Sequence, residues 1–163
     1  MITQQRLKEL VHYDKKSGLF TRAVNTRGSR IGDIAGSSKG GYIYICVDSR
    51  YYLAHRLAML YVAGRWPENQ VDHKNGVGAD NRWLNLRLAT ASENQQNRKP
   101  SSNNTSGFPG VHQVRRSGLW VARLSIGSNR LNLGTFETDV EAYAAYVVAK
   151  SKHHNFQPTS RVY

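Results

Sequence analysis

The chain has 163 residues, with 23 Lys and Arg against 11 Asp and Glu, a formal charge of +12 and a pI near 10.1. A composition that is 39% hydrophobic and 10% aromatic is too apolar for a disordered polycation, and the length suits one ordinary domain or two small ones. Cys46 stands alone, which excludes an internal disulfide and a cysteine-rich zinc cluster. No apolar run approaches the ~18 residues of a membrane span and the start lacks the apolar block of a secretory signal, so a soluble, cytoplasmic protein is expected. Residues 1–50 carry 9 basic and 4 acidic groups, 51–98 carry 6 and 4, and 99–163 carry 8 and 3. Basic flanks around a nearly balanced centre suit a chain that grips a polyanion at two places.

In chain order, Thr3 caps a short predicted helix through about Val11, with Leu7, Leu10 and Val11 on one side. Glycines and serines then break every helical pattern, leaving extended pieces around 19–23 and 31–35. Alternation in Tyr42-Ile43-Tyr44-Ile45-Cys46-Val47, a turn at Asp48-Ser49 and then Tyr51-Tyr52-Leu53 predict a hairpin. His55 to Ala63 is the strongest helix former of the first half, stopped by Gly64 and Pro67. Short strands are expected at Val71-Asp72-His73 and Leu86-Arg87-Leu88, followed by a helix opened by Thr90-Ala91-Ser92-Glu93, which fits a capping box. Residues 99–107 hold no large apolar side chain and read as a linker. Beyond it come three extended runs, 110–115, 120–126 and 130–136, and a helix opened by Thr138 and Glu141.

The densest set of polar ligands is Asp72-His73, Asp80-Asn81, Asn85 and Glu93-Asn94. Phosphodiester hydrolysis requires a base for water, a hard cation for the developing charge and a residue that orients the base. His73, Asp72 with Asn94, and Asn85 can fill those roles, and oxygen donors suit magnesium or manganese. Taken singly, Asp72-His73 reads rather as a surface turn, and the asparagines as backbone caps. Together, Val71-Asp72-His73-Lys74-Asn75-Gly76, Asp80-Asn81-Arg82, Asn85-Leu86-Arg87 and Ser92-Glu93-Asn94 resemble the HNH endonucleases of phages and mobile introns. His55-Arg56-Leu57 resembles the segment that precedes the motif there, making His55 and Arg56, with Asn81, candidates for site support. The resemblance implies a ββα-metal fold, His73 as general base, Asn85 as its orienting partner, Asp72 and Asn94 as ligands of a divalent metal, Mg2+ or Mn2+, and double-stranded DNA as substrate. One departure is that Asn94 stands where the motif's last letter calls for histidine, which weakens the site for transition ions.

In the last third, Trp120, Ala122, Leu124 and Ile126 share one strand face, and Val121, Arg123 and Ser125 the other. Leu131 and Leu133 are expected on the helix side, with Arg130 and Asn132 outward. The segment resembles the AP-two DNA-binding domain of plant ethylene-response factors through Gly110-Val111, Trp120-Val121-Ala122-Arg123, Leu133-Gly134-Thr135-Phe136-Glu137-Thr138 and 141–146. That resemblance implies a three-stranded antiparallel sheet on one helix with the sheet against DNA, and outward residues His112, Val114, Arg123, Ser125, Arg130 and Asn132. Arg115 and Arg116 beside the first turn, and Arg87 and Arg98 in the first part, are further candidates for DNA contact, with Lys39 and Lys99 beside them for phosphate. The expected fold class is α+β: a nuclease domain with a small N-terminal sheet over 1–98, a linker at 99–107, and a DNA-binding domain over 108–163. The expected function is a homing-type, metal-dependent endonuclease. A DNA-binding regulator that keeps the scaffold without cutting, and an RNA-binding component, fit the same composition.

Overall fold

The computed structural model describes residues 1–96 and 104–154 and divides into two compact units, Met1–Thr90 and Ala91–Tyr163. It mixes helices with small antiparallel sheets, an α+β arrangement. Of the expected linker, residues 99–103 lie outside the described residues, as does Arg98.

The first unit opens with α1 (Gln4–Leu10), whose N-terminus is capped by the Thr3 hydroxyl accepting from the Arg6 amide. Strands β1 (Val11–Tyr13) and β2 (Phe20–Arg22) pair antiparallel, and β3 (Ser37–Lys39), β4 (Tyr42–Val47) and β5 (Arg50–Leu53) form a second sheet in that order. Helix α2 (Ala54–Ala63) is stopped by Gly64, which takes the left-handed conformation at φ 78° and donates to the Leu60 carbonyl. Leu57 and Ala58 are fully buried in a core with Leu7, Val11, Phe20 and Ile45. The Gln4 amide donates to the Tyr61 carbonyl (2.8 Å), satisfying an orphan acceptor at the end of α2 and tying it to α1.

The segment 31–35, expected to be extended, is irregular. Its backbone exchanges hydrogen bonds with Phe20 and Arg22 through Gly32, Asp33 and Ala35, yet only Ile34 makes a ladder bridge, to Thr21. The regular strand falls later, at Ser37–Lys39, which carries no apolar alternation because all three of its side chains are exposed.

Strands β6 (Gln70–His73) and β7 (Leu86–Ala89) complete the unit, paired so that Asp72 faces Arg87 and His73 faces Leu86. A 3-10 turn at Trp83–Asn85 leads into β7. The β1–β2 loop lies against this region: the Trp83 amide donates to the Lys15 carbonyl (3.0 Å), and a side chain at Gly18 would fall on the Asn81–Arg82 peptide.

In the second unit, α3 (Ala91–Gln96) precedes an antiparallel sheet of β8 (Val111–Gln113), β9 (Trp120–Ile126) and β10 (Asn129–Phe136) in the order β10-β9-β8, with α4 (Asp139–His153) packed on it. The Lys150 ammonium donates to the Gln96 carbonyl (2.8 Å), joining α3 to α4. Val111, Ala122, Leu124, Ala142, Tyr146 and Ala149 form the core. Thr138 and Glu141 complete the capping box of α4. A bulge between Asn132 and Gly134 shifts the register, so Leu131 and Phe136 both pair with core-facing residues of β9. An unbroken alternation would have sent Phe136 to the opposite face.

Gly18 has φ +75° and Gly28 has φ +93°, but only Gly18 has neighbours where a side chain would go. Gly18→Ala is therefore expected to lower stability by more than about 1 kcal/mol beyond the loss caused by Gly28→Ala, because the added methyl displaces the Asn81–Arg82 backbone as well as straining its own. Urea midpoints of the two variants measure the difference.

Candidate active site

Successive residues of a strand face opposite sides, so β6 presents its two polar residues to different neighbours. Asp72, 7% exposed, meets Arg87 across the ladder: Arg87 Nε lies 2.9 Å and Nη2 2.8 Å from Asp72 Oδ2. Arg87, expected on a DNA phosphate, is thus turned toward a carboxylate of its own chain. Removing one partner of a buried pair strands the other charge, a loss of about 3–5 kcal/mol.

His73, one residue on, is 4% exposed, and its Nε2 lies 3.1 Å from Asn81 Oδ1. The Asn81 amide nitrogen donates to the Ala79 carbonyl (3.2 Å), which fixes the oxygen toward the ring. An amide oxygen only accepts, so Nε2 carries the proton and the lone pair of neutral His73 sits on Nδ1. Burial pushes the His73 pKa below the ordinary histidine value, while the hydrogen bond to Asn81 and the charges of Asp72 and Asp80 pull it back up. The net shift is downward, so the imidazole is neutral, as a base must be, already below neutral pH.

Asn81 is itself held. Its carbonyl accepts from the buried Tyr13 hydroxyl at 2.7 Å, and burial raises the Tyr13 pKa, helped by Asp14 and Asp80, so the phenol stays a donor. Sequence reading gave Asn81 a supporting part only and missed Tyr13, which lies 68 residues away and carries no motif. Asn85, expected to orient His73, directs its carboxamide elsewhere. Its Oδ1 accepts from the Asn75 amide (3.1 Å), while Nδ2 donates to Asn75 Oδ1 (3.0 Å) and the Asp80 carbonyl (2.7 Å). Together with the Lys74 amide on the Asn85 carbonyl (2.8 Å), these bonds fasten the loop that follows His73. Asn81 is a side-chain partner of His73, and Asn85 secures the loop beneath it. Asp80 adds bonds to Asn75 and Arg82, and Arg82 foremost holds its carboxyl below the usual carboxylate range.

His55, at the start of α2, stands edge-on to His73 with ring centroids 4.9 Å apart at 85°. Tyr42 closes the group, 5.7 Å from His55 and 6.0 Å from His73. His55 is 6% exposed and its Nδ1 has no hydrogen-bond partner among the described residues, a loss of about 1–3 kcal/mol that an apolar residue would avoid. Arg56 donates to the Pro67 carbonyl (3.1 Å) and so pins the segment after α2. Asn94 lies on α3, in the second unit, half-buried.

Among the described residues no group of three or more His, Cys, Asp and Glu gathers as a metal cluster. One carboxylate with amide oxygens nearby in sequence instead suits a hard cation that keeps most of its waters and takes phosphate oxygens as further ligands. With the Arg87 guanidinium already on Asp72, such an ion would be favoured there only with further negative charge alongside it.

Residues 52–96 match the HNH endonuclease family model. The match takes in the second half of β5, then α2, the β6–β7 pair and α3, and makes this segment similar to a family that acts on DNA and generally uses divalent metal ions. No curated protein and no solved structure matches the chain.

In the second unit, the register places Arg123 opposite Asn132, Ser125 opposite Arg130 and His112 opposite Val121 on one face of the sheet. Arg123, Ser125, Arg130, Asn132 and His112 are exposed, as are Val114, Arg115 and Arg116 after β8. Val121 shares that face but is buried, 6% exposed, so the face is not uniformly open.

His55 also ties stability to pH. Its pKa is lowered from 6.5 to about 4, chiefly by burial, then by His73 and Arg56. The unfolded chain therefore binds a proton in that interval that the folded chain refuses. The resulting stability is complete above 6.5 and falls away as pH drops toward 4, by about 3 kcal/mol in all. His55→Leu is expected to flatten that part of the stability profile, read from urea midpoints across the same interval.

Proposed function

We propose that the chain is a metal-dependent HNH endonuclease of the homing type, which hydrolyses phosphodiester bonds of duplex DNA. The observation that carries the reading is the buried His73 imidazole held through Nε2 by Asn81, with its basic lone pair on Nδ1. His73 Nδ1 takes a proton from water, whose oxygen attacks phosphorus in line. The new P–O bond forms as the P–O3′ bond breaks, and the departing 3′ oxygen is protonated from solvent. Asp72 would hold the divalent ion, Mg2+ or Mn2+, and the resemblance adds Asn94 as a ligand; the ion supplies charge neutralisation at the phosphoryl group and the leaving oxygen. Asn81 orients His73, Asn85 fixes its loop, and His55 walls it with an uncharged ring.

In this reading the nuclease domain runs over 1–98 and an AP-two-like module over 108–163 anchors the enzyme. The exposed arginines 123 and 130, with Asn132, His112, Arg115 and Arg116, face the DNA, and Arg98 adds a phosphate contact. Arginine and asparagine on a sheet face suit base edges in the major groove, and phosphates account for the rest. No helix among the described residues is long and apolar enough to cross a membrane.

A regulator that binds without cutting is the second reading, favoured by the pairing of Asp72 with Arg87. Relaxation and linearisation of supercoiled plasmid with magnesium or manganese decides between them. Cleavage by the wild type and its loss by about a hundredfold or more in His73→Ala, with DNA affinity retained, is expected of the enzyme. A wild type inactive with every metal, yet bound to DNA, would falsify it.

For the anchor, the double variant Arg123→Ala/Arg130→Ala is expected to flatten the dependence of log K on log salt by about two. An unchanged slope in a duplex-binding titration removes those arginines from the interface.

A further inference from the structure

Tyr42 lies outside the matched segment, on the β3–β4 hairpin, yet its ring closes the group around His73. The hairpin turns through Lys39-Gly40-Gly41-Tyr42, with Gly40 at φ 59° and Gly41 at φ 81°, the pair of left-handed residues that a tight two-residue turn requires. Lys39 and Tyr42 are direct cross-strand partners, so their side chains stand together on one face, and both are exposed.

Three observations make this tip more than a loop end. A side chain at Gly78 would lie 2.7 Å from the Tyr42 ring and from the Gly41 carbonyl, so the backbone of the loop after His73 packs flat against the tip and fixes it beside the imidazole. Tyr42 stays 43% exposed while flanking both histidines. At Gly40 and Gly41 nothing among the described residues lies within 4 Å of where a side chain would sit, so a bulky polyanion can approach the backbone closely.

We propose that this tip contacts the DNA strand being cut, with Tyr42 on the nucleotide next to the scissile phosphate and Lys39 on a neighbouring phosphate. The inference rests on the nuclease reading for the place of the cut. An exposed phenol beside the base offers a ring to a sugar or base and a hydroxyl to a phosphate oxygen, and the ammonium across the ladder supplies the charge. The tip is a substrate contact in unit 1, built from other residues than the arginine-bearing sheet.

The test is photo-crosslinking of the full-length protein to a random-sequence duplex carrying iodouracil in place of thymine, with peptides mapped by mass spectrometry. Crosslinks in the tryptic peptide Gly40–Arg50 are expected, and their absence there, with crosslinks elsewhere, overturns the proposal. In parallel, Tyr42→Ala is expected to raise KM for plasmid cleavage about five- to tenfold, with Tyr42→Phe intermediate and Lys39→Ala showing a reduced salt dependence. Should Tyr42→Ala fail to fold, Tyr42→Phe and the wild-type crosslinks decide. Crosslinks at the tip without cleavage by any metal would sink the nuclease reading and leave the DNA contact standing. Cleavage with wild-type constants in folded Tyr42→Ala, and no tip crosslink, would do the reverse.

Discussion

The hydrogen bond between His73 Nε2 and Asn81 Oδ1 is the constraint on which the site depends, because it selects the tautomer. Without a fixed acceptor at Nε2, a buried imidazole can carry its proton on either nitrogen, and only one tautomer presents a lone pair at Nδ1. Asn81 serves because its own two ends are spoken for: the amide nitrogen by Ala79 and the main-chain carbonyl by Tyr13. The chain of contacts runs from β1 through Tyr13 to Asn81 to His73, and the β1–β2 loop presses on the same peptide at Gly18. Rigidity at the imidazole is therefore assembled from three separate stretches of sequence.

Asp72 and His73 show how adjacent strand residues divide labour. One is drawn to a guanidinium across the ladder; the other to an amide, a second imidazole and a phenol ring. Arg87 keeps the Asp72 carboxylate in place, and would compete with the cation proposed there. In the proposed reaction that balance would tie cation binding to the arrival of phosphate, since a further negative charge makes room for a second positive one.

Much of the architecture was legible. Alternation in Tyr42–Val47 and the helical run from His55 are long enough for burial to dictate them, and β4, β5 and α2 follow within a residue or so. The polar strand Ser37–Lys39 was not legible, because an exposed strand needs no apolar period and its glycine turn resembles a break. The bulge after Asn132 likewise leaves no mark in the pattern except a glycine. In the site, Asp72, His73, Asn81 and Asn85 stood out as a polar cluster, but their pairings did not: which asparagine meets the imidazole is settled by the path of the 74–80 loop. Tyr13 and Tyr42 were invisible because long-range packing, not spacing, brings them there.

The clamp of Tyr13 and Gly18 on the Asn81 peptide bears on how such a motif travels between genes. A cassette excised at the borders of the 52–96 match would leave behind both the phenol that holds the asparagine and the tyrosine that walls the imidazole. A transfer that kept the surroundings of His73 intact would have to carry Tyr13, Gly18 and Tyr42 with it, so the structural unit is larger than the signature by which it is recognised.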